Sequence, residues 1–292
     1  MLKILALATL ISLPAQAEIR NNVVYGDDHR IELHDLTDPV MLSMVSSSVA
    51  LIDGDHIAQD GDTYRLLGRV YGEEYRLCRS ERFDEQRNPA FCSGVLVGPD
   101  LVLTAGHCLS ESACQDTKFV FGFAMDAPSK SLERLPAADV YGCKEIVSRE
   151  NSPVYEDAEK RVDYSLVRLD RPVLNRSPAR LERTGGVQAG DKLFAMGYPA
   201  GLPLKIITEA LVRSPGLNQF QTNLDTYGGN SGSPVFNHAK GTLEGLLIQG
   251  EQDFRYTPEG CSVSKVCLDN ECEGEWVTKA DVILAKIGQY LK

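Results

Sequence analysis

Basic residues are in the minority: 30 Lys and Arg face 41 Asp and Glu in 292 residues, for a formal charge of −11 and a pI near 5.0. Neither a nucleic acid nor an anionic membrane surface gains electrostatically from such a chain, so neither is an expected partner. Long apolar stretches are scarce as well. The ten residues Ile4 to Leu13 fall short of the roughly 20 that a helix needs to cross a bilayer. Long helical periodicity is almost absent, and no internal repeat or low-complexity tract stands out. With 43% hydrophobic and 24% charged residues, the composition is globular, neither disordered nor fibrous.

The short apolar stretch reads instead as an export signal. Lys3 gives the positive start, Pro14 ends the run, and Ala15-Gln16-Ala17 is a small-x-small cleavage pattern with no cysteine after it to take a lipid. Residues 1–17 are therefore expected to be removed after Ala17, and the product to be secreted or periplasmic. Eight cysteines follow, all beyond that point. An even number in an exported chain predicts disulfides, although eight allow 105 pairings. A zinc site from Cys261, Cys267 and Cys272 is disfavoured by their spacing and by an oxidising compartment. The cluster Asp53, Asp55, Asp60 and Asp62 does not fit an EF-hand loop. No metal and no cofactor is expected.

Short apolar or alternating runs closed by Gly, Pro, Asn and Asp predict an all-β protein with many hairpins. Clear examples are Phe91–Val97, Leu101–Thr104, Tyr164–Leu169, Lys192–Tyr198 and Leu243–Gln249, whereas Met41–Ile52 is ambiguous. Near the end, Thr278 and Asp281 form a capping-box pattern before Ile283, Ile287 and Leu291, which predicts one terminal helix. The Pro-containing stretch 171–178 reads as a connection between two halves. The charged stretch Gly72 to Pro89 reads as a solvated insertion, with a loop over a cleft as the alternative.

Three local patterns carry chemistry. In Val102-Leu103-Thr104-Ala105-Gly106-His107-Cys108 a strand runs into a histidine, which alone is moderate evidence. In Asp163-Tyr164-Ser165-Leu166-Val167 an acid opens a strand, which alone is weak, since such acids usually form turns. In Gly228-Gly229-Asn230-Ser231-Gly232-Ser233-Pro234-Val235 glycines flank a serine, leaving room for a substrate backbone and letting N–H groups converge on one point. Serine needs a base to take its proton, and the base needs an acid to orient it. The chain order is His107, Asp163, Ser231. An α/β-hydrolase would run serine, acid, histidine within G-x-S-x-G, whereas Gly229–Ser233 ends in serine. A subtilisin-like enzyme would place its acid before the histidine.

With these motifs and Trp276-Val277-Thr278-Lys279 near the end, the chain resembles the chymotrypsin-fold serine endopeptidases, and more closely their bacterial glutamyl endopeptidase branch. The resemblance implies two six-stranded antiparallel β-barrels with a C-terminal helix: residues 45–173 carrying His107 and Asp163, and residues 174–292 carrying Ser231. Residues 18–44 would be a propeptide or an N-terminal arm. It further implies a monomer acting on protein or peptide substrates, an oxyanion hole from the N–H groups of Gly229 and Ser231, and a Cys92–Cys108 disulfide beside the histidine. Asn230 stands where trypsin-like zymogens keep an aspartate, so the usual N-terminal ion pair is not expected. The histidine that glutamyl endopeptidases place two residues after the strand glycine is missing, because Gly245 is followed by Leu246 and Leu247. Asp225, six residues before Ser231, is expected at the base of the primary pocket, next to Thr226. Gly250 would leave the mouth open and Glu275 would add negative charge. That pocket favours Arg or Lys before the scissile bond, against the alternatives of glutamyl specificity or an inactive binding relative.

Overall fold

The computed structural model describes residues 24–128, 132–153, 157, 160–182, 186–268 and 271–291. The expected export signal lies outside them. Among the described residues no helix is long and apolar enough to cross a membrane.

Twelve strands build two barrels. The first uses β1 (Ser48–Asp53), β2 (Ala90–Leu96), β3 (Leu101–Thr104), β4 (Thr117–Phe121), β5 (Val140–Asn151) and β6 (Asp163–Leu169), closed in the order β5-β6-β3-β2-β1-β4. The second uses β7 (Lys192–Gly197), β8 (Lys205–Pro215), β9 (Gln219–Thr222), β10 (Pro234–Asn237), β11 (Leu243–Gln249) and β12 (Glu275–Lys279). It closes in the order β7-β10-β11-β12-β9-β8, the same connectivity as the first. No sequence repeat accompanies this structural one. The stretch that the pattern leaves ambiguous divides in two: a short helix, Pro39–Val45, and then β1. Asp38 caps that helix by accepting from the Val40 and Met41 N–H groups, and Pro39 opens it.

Strict alternation is blurred because both faces of many strands are buried. On β1, Val49 and Leu51 point into the first barrel with Val102, Phe119, Phe121 and Val167. Ala50 and Ile52 point the other way, into a layer shared with Phe194, Met196, Ile206, Phe236 and Leu246 of the second barrel. A third cluster, with Leu193, Ile207, Phe220, Val235, Leu247 and Val277, fills the second barrel. Fully burying one such side chain is worth about 1.5–3 kcal/mol, so the inter-barrel layer holds the two halves in a fixed relation.

The terminal helix α1 (Ala280–Ile287) buries Ala280, Ile283 and Ile287, but not through the expected capping box. Thr278 remains in β12, paired with Gln219 and Leu246, and the N-cap position falls to Lys279 without a side-chain cap. Sheet pairing wins over a local cap here.

Four disulfides join Cys78 to Cys261, Cys92 to Cys108, Cys114 to Cys143 and Cys267 to Cys272. Cys92 lies on β2 and Cys108 just beyond β3, so this bond ties the histidine turn to the neighbouring strand. Replacing both by alanine is expected to cost about 3 kcal/mol on chain-entropy grounds for a loop of this size. The measurement is a guanidinium unfolding curve, with a lower midpoint expected.

Candidate active site

The closed barrel brings the histidine and the acid together. β3 and β6 are neighbours, with Thr104 opposite Ser165. The turn Gly106–Cys108 that follows β3 therefore lies beside Asp163, which opens β6. A carboxylate only accepts, so His107 Nδ1–H donates to Asp163 Oδ2 at 2.8 Å, leaving Nε2 with its lone pair free. Asp163 Oδ1 accepts from the N–H of Gly106 and from that of His107 at 3.2 Å. Both carboxylate oxygens are thus committed, and Asp163 as a residue is buried at 7% exposure. Arg149 Nε donates to the Gly106 carbonyl at 2.7 Å and braces the turn from β5.

Ser231 comes from the loop between β9 and β10 and is held by both barrels. Its carbonyl accepts from the Ser93 N–H on β2 at 2.8 Å, and the Gly232 N–H donates to Leu247 on β11 at 2.7 Å. Cys108 Sγ, one residue from the histidine, lies 3.6 Å from the same Ser231 carbonyl oxygen. Among the described residues, no acceptor takes the N–H of Gly229 or of Ser231. Gly229 has φ +90°, a left-handed value that glycine adopts without penalty. Its carbonyl accepts from Ser93 Oγ at 2.8 Å, while Ser93 Oγ accepts from the Tyr198 N–H at 3.0 Å. The unused N–H groups are the serine's own and that of Gly229, two residues before it, and an oxyanion needs unpaired donors of this kind.

Beside Ser231 lies a cavity of about 320 Å³. Thr226, Gly228, Gly250 and three acids, Glu251, Asp253 and Glu275, line it, with no Lys, Arg or His among the described lining residues. Glu275 is fully buried. It accepts from Thr226 Oγ1 and, at 3.4 Å, from the Glu251 N–H. A side chain at position 250 would run into its carboxylate, which is why glycine suits that position. Burial raises the Glu275 carboxyl well above the usual range. Burial also pushes Asp253 up to about 6, against its acceptance of the Gly228 N–H at 2.9 Å. Glu251 is balanced by Lys265 Nζ at 3.0 Å.

Asp225 is absent from that lining. Its side chain is fully buried, with Oδ1 accepting from the Tyr25 N–H at 2.7 Å and Oδ2 from the His29 N–H at 2.8 Å. The acid expected at the pocket base has both carboxylate oxygens committed to the N-terminal segment, whereas Glu275, expected to add negative charge, lines the cavity beside Ser231. The insertion departs from a purely solvated loop. Glu74, Tyr75, Asn88 and Pro89 border a cleft of about 460 Å³ that Gly228 and Gly229 also line. Cys92, His107 and Cys108 lie within 4.8 Å of one another, but the disulfide occupies both sulfurs and leaves no thiolate for a metal.

A model of the trypsin-like peptidase domain matches residues 92–246, more than half of the chain. The chain belongs to this family. Among curated relatives, the glutamyl endopeptidase of Bacillus licheniformis is 26% identical over 150 residues, which is 50% of this chain and 45% of that protein. Secreted RxLR effector protein 73 of Plasmopara viticola is 27% identical over 168 residues, 53% of this chain and 40% of that one. The chain thus spans less than half the length of either. A solved Glu endopeptidase in complex with MPD superposes with a TM-score of 0.51 at 15% identity, covering 92% of this chain and 98% of that one, and so shares the fold.

Within this trypsin-like peptidase domain, sequence reading missed Ser93 and Arg149 as supports. Ser93 lies within the strand run Phe91–Val97, next to Cys92, and nothing in that run marks it as a support. Arg149 reaches the site only through the pairing of β5 with β6, which no local pattern announces.

Proposed function

We propose that the protein is an exported serine endopeptidase in which Ser231 is the nucleophile, His107 the general base and then acid, and Asp163 its orienting partner. One observation carries this reading: the His107–Asp163 hydrogen bond at 2.8 Å, together with a serine whose own N–H and that of Gly229 take no acceptor among the described residues. Ser231 Oγ attacks the scissile carbonyl carbon while its proton passes to His107 Nε2. The carbonyl oxygen, now negative, accepts from Gly229 and Ser231. His107 returns the proton to the leaving amine, the C–N bond breaks, and an acyl-serine remains. Water, deprotonated by His107, then attacks the ester, and Ser231 leaves with the proton. Asp163 stays ionised throughout and favours the imidazolium. Four disulfides support an oxidising, extracytoplasmic location.

We further propose a preference for Lys or Arg before the scissile bond, set by Glu275 with help from Asp253, not by Asp225. A cavity lined by acids, with no cation among its described lining residues, rewards an incoming ammonium or guanidinium and repels a glutamate. The test is labelling with a fluorophosphonate, which requires an activated serine, followed by digestion of a mixed peptide library and sequencing of the cut ends by mass spectrometry. Labelling at Ser231 and cuts after Lys or Arg are expected. An unlabelled protein would overturn the hydrolase reading, and cuts after Glu would overturn the specificity.

A further inference from the structure

We infer that Asp225 and Arg30 are positioning residues, through which the segment Val24–Glu32 holds the oxyanion loop in its working shape; the inference rests on the proposed chemistry at Ser231. Residues 223–227 belong to no strand, so sheet pairing does not fix the chain that leads into Gly228 and Gly229. Other contacts must. The Asp225 carboxylate grips the N–H groups of Tyr25 and His29, about 200 residues away in sequence. His29 Nδ1 is a further 3.3 Å from Oδ2. Two residues on, the Tyr227 ring lies under the Arg30 guanidinium, whose Cζ is 4.1 Å from the ring centroid. Arg30 is 3% exposed, and Asp28 fixes its orientation, with Nε to Oδ1 at 2.8 Å. The Tyr227 carbonyl accepts from the Asn230 N–H at 3.0 Å, closing the turn that presents Gly229 and Ser231.

The N-terminal segment is itself anchored from both sides. Val24–Tyr25 pairs in parallel with Val266–Cys267, and Arg30–Ile31 pairs with Ile206 and Ile207 on β8. Glu32 reaches the buried Lys205 amine at 3.2 Å. Asn230 cannot supply an ion pair to an N-terminal amine, and its Oδ1 accepts from Ser233 Oγ at 3.1 Å within its own turn. The brace on the oxyanion loop runs instead through the body of the segment, by main-chain donors to Asp225 and a cation on Tyr227.

Asp225→Asn tests this, because an amide offers one oxygen to two N–H donors and sets its NH₂ against the other. The assays are fluorophosphonate labelling and hydrolysis of matched peptides with Lys or Leu before the scissile bond. With the segment loosened, kcat/KM is expected to fall about 10- to 100-fold, below the effect of deleting an oxyanion donor outright. The loss should be equal for both peptides and carried mainly by kcat. Arg30→Lys, which keeps the charge beside Asp28 but loses the planar stack, should move the same way by less. Hydrogen exchange at the Tyr227–Ser231 amides should quicken in both variants, a reading that needs no catalysis. A loss confined to the Lys peptide would make Asp225 a pocket charge and overturn the inference. So would wild-type rates, or unchanged exchange at those amides. If Asp225→Asn does not fold, Arg30→Lys decides. A wild-type protein that fails to label contradicts the hydrolase reading and leaves exchange to judge the brace.

Discussion

Ser231→Ala is expected to lower turnover by several orders of magnitude, on the order of 10⁴-fold or more, and to abolish fluorophosphonate labelling while leaving the fold intact. The hydroxyl is the only part removed; the Ser93-to-Ser231 and Gly232-to-Leu247 hydrogen bonds that fix this loop are main-chain and survive the change. Asp163→Asn should lose about 10⁴-fold by a different route. Asp163 accepts three hydrogen bonds, from His107 Nδ1 and from the Gly106 and His107 N–H groups. An asparagine offers a single oxygen. If that oxygen faces the turn, its NH₂ faces Nδ1, which must then accept, and the imidazole proton moves to Nε2. The base thereby loses its lone pair on the side where the serine proton must arrive. The check is kcat with a peptide ester for both variants beside an unfolding curve. Near-wild-type kcat in either folded variant would sink the triad.

What was legible in the sequence follows from how local each cause is. His107, Asp163 and Ser231 each sit inside a contiguous motif, and Leu101–Thr104 and Leu243–Gln249 run as strands over the residues that their patterns suggest. The two-barrel architecture was legible through the resemblance that those motifs carry. Met41–Ile52 stayed ambiguous because it holds a helix and then a strand buried on both faces, although Asp38-Pro39 offers a helix start that the apolar run obscures. The partners of Asp225 are hidden from local reading for a deeper reason. Its distance from Ser231 along the chain is right for a pocket acid, but its partners are main-chain N–H groups about 200 residues away, and sequence spacing is blind to them. Glu275 is hard to place from sequence because its position depends on how β11 and β12 pair, across an irregularity between Leu247 and Gln249.

Glu275→Gln is expected to erase most of the preference for a basic side chain. Removing one partner of a buried, hydrogen-bonded charge pair typically costs about 2–5 kcal/mol. The ratio of kcat/KM for Lys over Leu peptides should therefore fall on the order of 100-fold, with Asp253 retaining a remainder, while the Leu peptide itself changes little. The isosteric amide can accept from the Glu251 N–H while its NH₂ donates to Thr226 Oγ1, a hydroxyl that can also accept, so the pocket wall is kept. A pH dependence follows from burial, which raises the Glu275 carboxyl and so disfavours its charge in the free pocket. A bound ammonium favours the ionised form and expels the proton. KM for the Lys peptide should accordingly rise as pH falls through the raised pKa, KM for the Leu peptide should not, and Glu275→Gln should flatten the difference. Stability moves in the opposite sense. A carboxyl with a raised folded pKa stabilises the fold below its unfolded pKa, and that contribution is lost as pH rises through the folded pKa. An amide cannot ionise, so the thermal midpoint of Glu275→Gln relative to wild type should climb with pH. Steady-state kinetics on the two peptides and thermal melts, both from pH 5 to 9, read these effects together. An unchanged Lys-to-Leu ratio in the folded variant would remove Glu275 from the specificity of the pocket.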